Sequence, residues 1–154
     1  MLKYCTAKWA KNKHKLEEAI RKDNNINNCN YGYLVELVVK YILNDEDVKW
    51  RSELWDEKAI TEIDNGDYQG TLLYLIPSKR YQPGPHDYLM TFADYGSCSV
   101  CDTLEGIQSE HYGDKATEEQ VKDYMTLCLH LIQRMIKPYN KLYGTNEEFK
   151  EEEI

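Results

Sequence analysis

Two cysteines three residues apart, Cys98 and Cys101, stand in the stretch Asp94-Tyr-Gly-Ser-Cys-Ser-Val-Cys-Asp102. An apolar run of strand character precedes the stretch, and a segment of helical character follows it. Thiols at this spacing can cycle between a dithiol and a small disulfide ring, share a metal ion, or fill space beneath a tight turn. A reactive dithiol at a strand-to-helix junction uses the helix dipole to lower a thiol pKa. Here Asp102 is the expected helix cap, which leaves both thiols outside the first turn, and the flanking Asp94 and Asp102 are expected to raise the thiol pKa values. Zinc needs four ligands, or three and a water. No second C-x-x-C is present, so a zinc set would join Cys98 and Cys101 with His111 and with Cys128 or His130, and Cys5, Cys29, His14 and His86 are the remaining candidates. His130, two residues after Cys128, cannot easily share one helix face with it. In the third reading, Gly96 supplies an unusual backbone angle and Ser97 and Ser99 bond to backbone amides in the turn, while the small thiols pack beneath. The residues favour this reading. It makes the loop a presenting surface, with Asp94, Tyr95, Ser97, Cys98, Ser99, Cys101 and Asp102 as binding candidates and no catalytic residue.

Other reactive patterns are missing. The chain has no Gly-rich phosphate loop, no G-x-S-x-G and no H-E-x-x-H, and its four His are scattered. The only carboxylates that spacing brings together are Asp64 and Asp67, on either side of Asn65-Gly66. A basic run, Lys8, Lys11, Lys13, His14 and Lys15 with Arg21-Lys22, offers a surface for phosphate or an acidic partner. A solvated helix face explains the same residues.

The elements that must position these groups follow from periodicity and turn chemistry. Residues from about Thr6 to Lys22 have Cys5, Trp9, Leu16 and Ile20 near helical spacing, with lysines elsewhere, which predicts a basic amphipathic helix. Five Asn between Asp23 and Asn30 break it, and Asn28 or Asn30 is placed to cap a second helix over Tyr31–Asn44, apolar nearly all round. Trp50 and Trp55 lie in a polar stretch expected to cross the surface with one or both indoles tucked inward. Lys58–Asp64 and Asp67–Ile76 flank Asn-Gly, the signature of a two-residue type I′ hairpin. That register sets Asp64 opposite Asp67 and Ile63 opposite Tyr68. The second strand ends in a continuous apolar run and is expected to be buried on both faces. A third strand is predicted over His86–Asp94. Asp102 with Glu105, and Thr117 with Gln120, mark the starts of two more helices. The second of these carries Val121, Met125, Cys128, Leu131, Ile132 and Met135 inward, and Pro138 is expected to end or kink it. The order α-α-β-β-β-α-α predicts an α+β fold, a small antiparallel three-stranded meander covered by helices. One domain spans residues 1–145, and an acidic, flexible tail occupies residues 146–154.

Charge narrows the partners. Residues 1–22 hold seven Lys/Arg against two Glu, whereas the rest hold twelve Lys/Arg against twenty-five Asp/Glu. The acidic field discourages nucleic acid over most of the surface; a solvated acidic face that keeps the chain in solution explains it, and a basic partner is the other reading. Binding of nucleic acid is confined to the first helix, at Lys8, Lys11 and Lys15. Thirteen Tyr suit a recognition surface and a core equally well. No apolar run reaches the roughly 18 residues of a membrane span, and the N-terminus carries no signal-peptide core. A cytoplasmic chain with five reduced thiols is expected.

The segments Tyr88-Leu-Met-Thr-Phe-Ala-Asp-Tyr-Gly-Ser-Cys-Ser-Val-Cys-Asp-Thr-Leu-Glu, Ile63-Asp-Asn-Gly-Asp-Tyr-Gln-Gly-Thr-Leu-Leu and Glu118-Glu-Gln-Val-Lys-Asp-Tyr-Met-Thr-Leu resemble small uncharacterised proteins of bacteriophages and prophages of Gram-positive bacteria. The likeness covers most of the chain. It implies a phage-borne origin and the cytoplasm of an infected host, and it transfers no catalytic residue. The sequence as a whole points to a non-enzymatic accessory protein that binds another protein. A zinc-binding or thiol-redox protein built on Cys98 and Cys101 is the alternative, and nucleic-acid binding by the first helix the second alternative.

Overall fold

The computed structural model describes residues 1–45 and 50–139. Helix α1 (Leu2–Lys22) and helix α2 (Tyr31–Val38) precede the strands β1 (Thr61–Asp64), β2 (Gly70–Pro77) and β3 (Tyr88–Tyr95), followed by α3 (Thr103–Gln108) and α4 (Glu118–Gln133). The strands form one antiparallel sheet in the order β1-β2-β3. The fold is α+β, as the sequence predicts. The acidic tail expected at 146–154 lies outside the described residues.

The caps are those the side chains dictate. Asn30 accepts from Tyr33 N–H, Asp102 from Glu105 N–H, and Thr117 and Gln120 form a reciprocal capping box. Helix α1 starts earlier than the periodicity indicates, and its buried stripe is Cys5, Asn12, Leu16 and Ile20. Asn12 is fully buried because its amide donates to Ile42 O at 2.9 Å. Helix α2 runs on into a π-helical segment, Val39–Leu43, closed by Asn44 N–H donating to Val39 O at 2.9 Å. This wider turn delivers Asn44 to the Trp55 backbone, where its side chain accepts from N–H and donates to C=O, both at 2.7 Å. Trp50 is exposed, while Trp55 is half-buried with its indole N–H on Tyr4 OH. Helix α4 ends at Gln133, well short of Pro138. Arg134 donates to Phe92 O, and Ile136 pairs with Met90 on the outer edge of β3.

The hairpin register departs from expectation. Thr61 pairs with Leu75 and Asp64 with Leu72, so Asp64 does not oppose Asp67 and Ile63 does not oppose Tyr68. Gly66 is not in the left-handed region that a type I′ turn needs; its backbone instead packs on Gln69 and Gly70, where an added Cβ would lie 2.1 Å from Gln69 O. Two side chains close the longer loop: Asp64 accepts from Gly66 N–H at 3.0 Å and Asn65 from Thr71 N–H at 2.7 Å. On β3, Leu89, Thr91 and Ala93 face the helices, opposite Ile76, Tyr74 and Leu72 of β2. The same face of β1 carries Glu62 and Asp64. β2 is covered on that face, at Tyr74 and Ile76, and only partly on the other, at Leu73 and Leu75, so it is not buried on both faces.

Helices and sheet share one core. A buried polar network pins the long loop between α3 and α4. Asn27 Nδ2 donates to Gly113 O, Lys115 O and Gln120 Oε1, and Gln120 Nε2 donates to Ile107 O and His111 O. Tyr124 OH donates to Asn27 Oδ1 at 2.8 Å.

Candidate functional site

The Asp94–Asp102 loop is held from inside by one carboxylate. Asp102 is buried, and its Oδ1 accepts from Tyr31 OH at 2.8 Å as well as from Glu105 N–H at 3.1 Å. Its Oδ2 accepts from Gly96 N–H at 3.0 Å. Tyr31 OH in turn accepts from Leu104 N–H at 3.2 Å, and its own burial pushes its pKa up. Helix α2, the loop and α3 are thereby tied to a single charge. Ser97 and Ser99 are exposed and their hydroxyls make no hydrogen bond among the described residues, so they do not shape the turn as expected. Gly96 is needed for close approach, not for a left-handed angle: a Cβ there would meet Cys101 Cβ at 2.6 Å and its carbonyl at 2.7 Å.

Cys98 and Cys101 occupy the two ends of this turn. Cys101 N–H and Asp102 N–H both donate to Cys98 O, at 3.0 and 2.8 Å. The two thiols are free and exposed, with sulfurs 3.0 Å apart. Their titration is split. The Cys101 thiol and then the N–H groups of Cys101 and Val100 hold Cys98 below the usual thiol range, and the same partnership pushes Cys101 up. The expectation that Asp94 and Asp102 raise both thiols fails because Asp94 accepts from Thr71 OH on the strand and Asp102 turns inward. Glu105 is the carboxylate close enough to act on both sulfurs.

The structure does not bring the proposed metal set together. Cys128 is fully buried in the core, where desolvation pushes its thiol up, and His111 is exposed on the loop after α3. Among the described residues no three His, Cys, Asp or Glu side chains are arranged to hold a metal ion. The basic first helix is also largely neutralised. Lys8 and Lys11 reach the buried Asp45 at 2.7 and 3.3 Å, Arg21 pairs with Glu17 and Glu118, and Lys22 pairs with Glu18. Lys15 is exposed.

Sequence reasoning missed a groove of about 410 Å³ between the β1–β2 corner, the N-terminus of α2 and α3. Glu62, Asp64, Asp102 and Glu105 line it, together with Tyr31, Tyr95, Leu72 and Leu104, and no Lys, Arg or His among the described residues does. Among the described residues none of the four carboxylates is in an ion pair. Tyr95 OH donates to Asp64 at 2.7 Å; that bond and the Gly66 N–H hold the Asp64 carboxyl down, and Tyr95 is pushed up to about 12. A second hollow of about 380 Å³ continues past Glu62 to Glu36 and Tyr33. Of the predicted binding residues, Tyr95 and Asp102 form the groove wall, whereas Asp94 faces the opposite side of the sheet. Only the true hairpin register, which turns Glu62 and Asp64 toward α2, reveals the groove.

No family model, curated protein or solved structure matches the chain. Among the described residues no helix is long and apolar enough to cross a membrane.

Proposed function

We propose that the chain is a protein-binding module whose groove receives a basic segment of a partner protein. One observation carries this reading: four carboxylates converge on a concave surface, with no compensating cation among the described residues. Desolvating such a set is unfavourable unless opposite charge enters with the ligand. Tyr31, Tyr95 and Leu72 add apolar area at which the stem of a Lys or Arg can lie while its head reaches a carboxylate. β1 supplies a further element of recognition. It is an edge strand, and beyond its pairing with β2, Thr61–Asp64 make no backbone hydrogen bond among the described residues. An extended segment can add alongside it. The resemblance to phage proteins fits an accessory protein that engages a host or phage protein in the host cytoplasm without catalysis.

Fluorescence anisotropy with a labelled, cysteine-free Lys/Arg-rich peptide tests this. Binding should weaken roughly tenfold in E62Q/E105Q, as expected for two partly exposed charge pairs, and fall further at about 0.5 M salt. It should persist unchanged in C98S/C101S. Equal affinity for wild type and E62Q/E105Q, or for the basic peptide and a neutral one of the same length, refutes the groove.

A further inference from the structure

Binding of a basic segment does not use the paired thiols of the Asp94–Asp102 loop, whose Gly96 and Asp102 line the groove. Several features converge on them. The sulfurs are exposed and 3.0 Å apart, so about 1 Å of closure separates them from a disulfide bond length. The turn that carries them is fastened by two N–H donors on Cys98 O and backed by Gly96, whose missing Cβ gives Cys101 its place. The other three cysteines are set apart: Cys5 and Cys128 are fully buried, Cys29 is half-buried, and burial pushes all three thiols up, Cys5 to about 11 and Cys29 to about 12. Thiol reactivity is thus concentrated at one exposed pair.

We propose that Cys98 and Cys101 form an exchange-active dithiol that reduces an accessible disulfide on another molecule, with Cys98 attacking and Cys101 resolving. The roles follow from the turn. The Cys101 sulfur lies 3.0 Å from that of Cys98, and with the N–H groups of Cys101 and Val100 it holds Cys98 below the usual thiol range, an environment that favours a negative sulfur. Cys101 keeps its proton until the first step has removed that negative charge. In that step the Cys98 thiolate attacks one sulfur of the substrate disulfide, a Cys98–substrate bond forms, and the other substrate sulfur leaves as a thiolate and takes up a proton. Cys101 then loses its proton to solvent and attacks Cys98 Sγ. The Cys98–Cys101 bond forms, the mixed disulfide breaks, and the second substrate sulfur leaves and is protonated. Two electrons pass from the pair to the substrate, which ends as two thiols.

Oxidised glutathione is the probe for a small disulfide, and a disulfide-bonded peptide is the probe for a protein one. Each is mixed with the reduced full chain, quenched with acid and read by intact mass. With at least one probe, wild type should lose two hydrogens and carry no adduct. With the same probe C101S should retain one substrate half on Cys98, and C98S should react roughly tenfold more slowly because the stabilised thiolate is gone. The probe that reacts faster identifies the source. The proposal is overturned if wild type accumulates the mixed disulfide without closing. It is overturned equally if C98S and C101S react at the same rate, if C98S/C101S reacts as fast as wild type, or if neither probe reacts.

Discussion

Asp45 offers the sharpest quantitative test of how the first helix is used. Its side chain is 1% exposed and accepts from Lys8 at 2.7 Å, Lys11 at 3.3 Å and Asn12 at 3.4 Å. Burial alone would raise its pKa, but these donors outweigh burial and hold the carboxyl at about 2, against an ordinary 3.8. At about 1.36 kcal/mol for each pH unit of difference, the native state gains ~2 kcal/mol from keeping Asp45 ionised. The folded pKa is depressed, so this stability is fully present above about pH 4 and is lost as the pH falls toward about 2. Asp45→Asn should lower the unfolding free energy near neutral pH by roughly 2–3 kcal/mol, since the half-buried Lys8 also loses its counter-charge. The difference between wild type and D45N should shrink to below about 1 kcal/mol near pH 2. Urea unfolding followed by tryptophan fluorescence across this pH range measures it. A difference that stays constant with pH, or that is below about 1 kcal/mol at neutral pH, refutes the claim that the two lysines are structural.

Two further predictions concern the parts that position the groove and the thiols. Gln120→Ala removes four hydrogen bonds of the buried network, taking away the side-chain donor of His111 O and one acceptor of Asn27, so urea unfolding should show a loss of about 2–3 kcal/mol; a loss below about 1 kcal/mol would mean the loop before α4 is held by other contacts. Gly96→Ala forces a methyl against Cys101 and should destabilise by about 1–3 kcal/mol while slowing conversion of the Cys98 mixed disulfide to the internal one. Unchanged closure in G96A would show that Cys101 does not depend on this contact for its place.

What the sequence disclosed was local, and what it hid depended on tertiary placement. The caps at Asn30, Asp102 and Thr117–Gln120 were legible because each is a relation between residues three apart, decided by one side chain and one N–H. The helices and the three-stranded meander followed from periodicity for the same reason. Asn12 was not legible: a polar residue on the buried stripe of α1 is stable only because the π turn at Val39–Leu43 aims Ile42 O at it. The role of Gly96 was misread because close approach to a residue five positions away leaves no trace in turn statistics, whereas a left-handed angle would. Gln120 was seen as a cap and missed as a network hub, since Asn27 is remote in sequence.

The hairpin shows why a candidate site can vanish at the sequence level even when its fold does not. Pairing Asp64 with Leu72, not with Asp67, displaces the register by an odd number of residues, and an odd displacement exchanges the two faces of a strand. In the register that Asn-Gly suggests, Ile63 shares the helix-facing side with Tyr74 and Leu72, and the carboxylates of β1 point to solvent. In the structure Ile63 lies on the open face at 45% exposure, and Glu62 and Asp64 point toward α2. The displaced register is stabilised by what it relieves and what it gains. Asp64 escapes a like-charged neighbour across the turn and accepts from Tyr95 OH and Gly66 N–H, and Asn65 closes the loop with its own side chain. Three short polar bonds at a turn therefore decide which side of an edge strand carries negative charge. That decision creates the groove beside the two thiols.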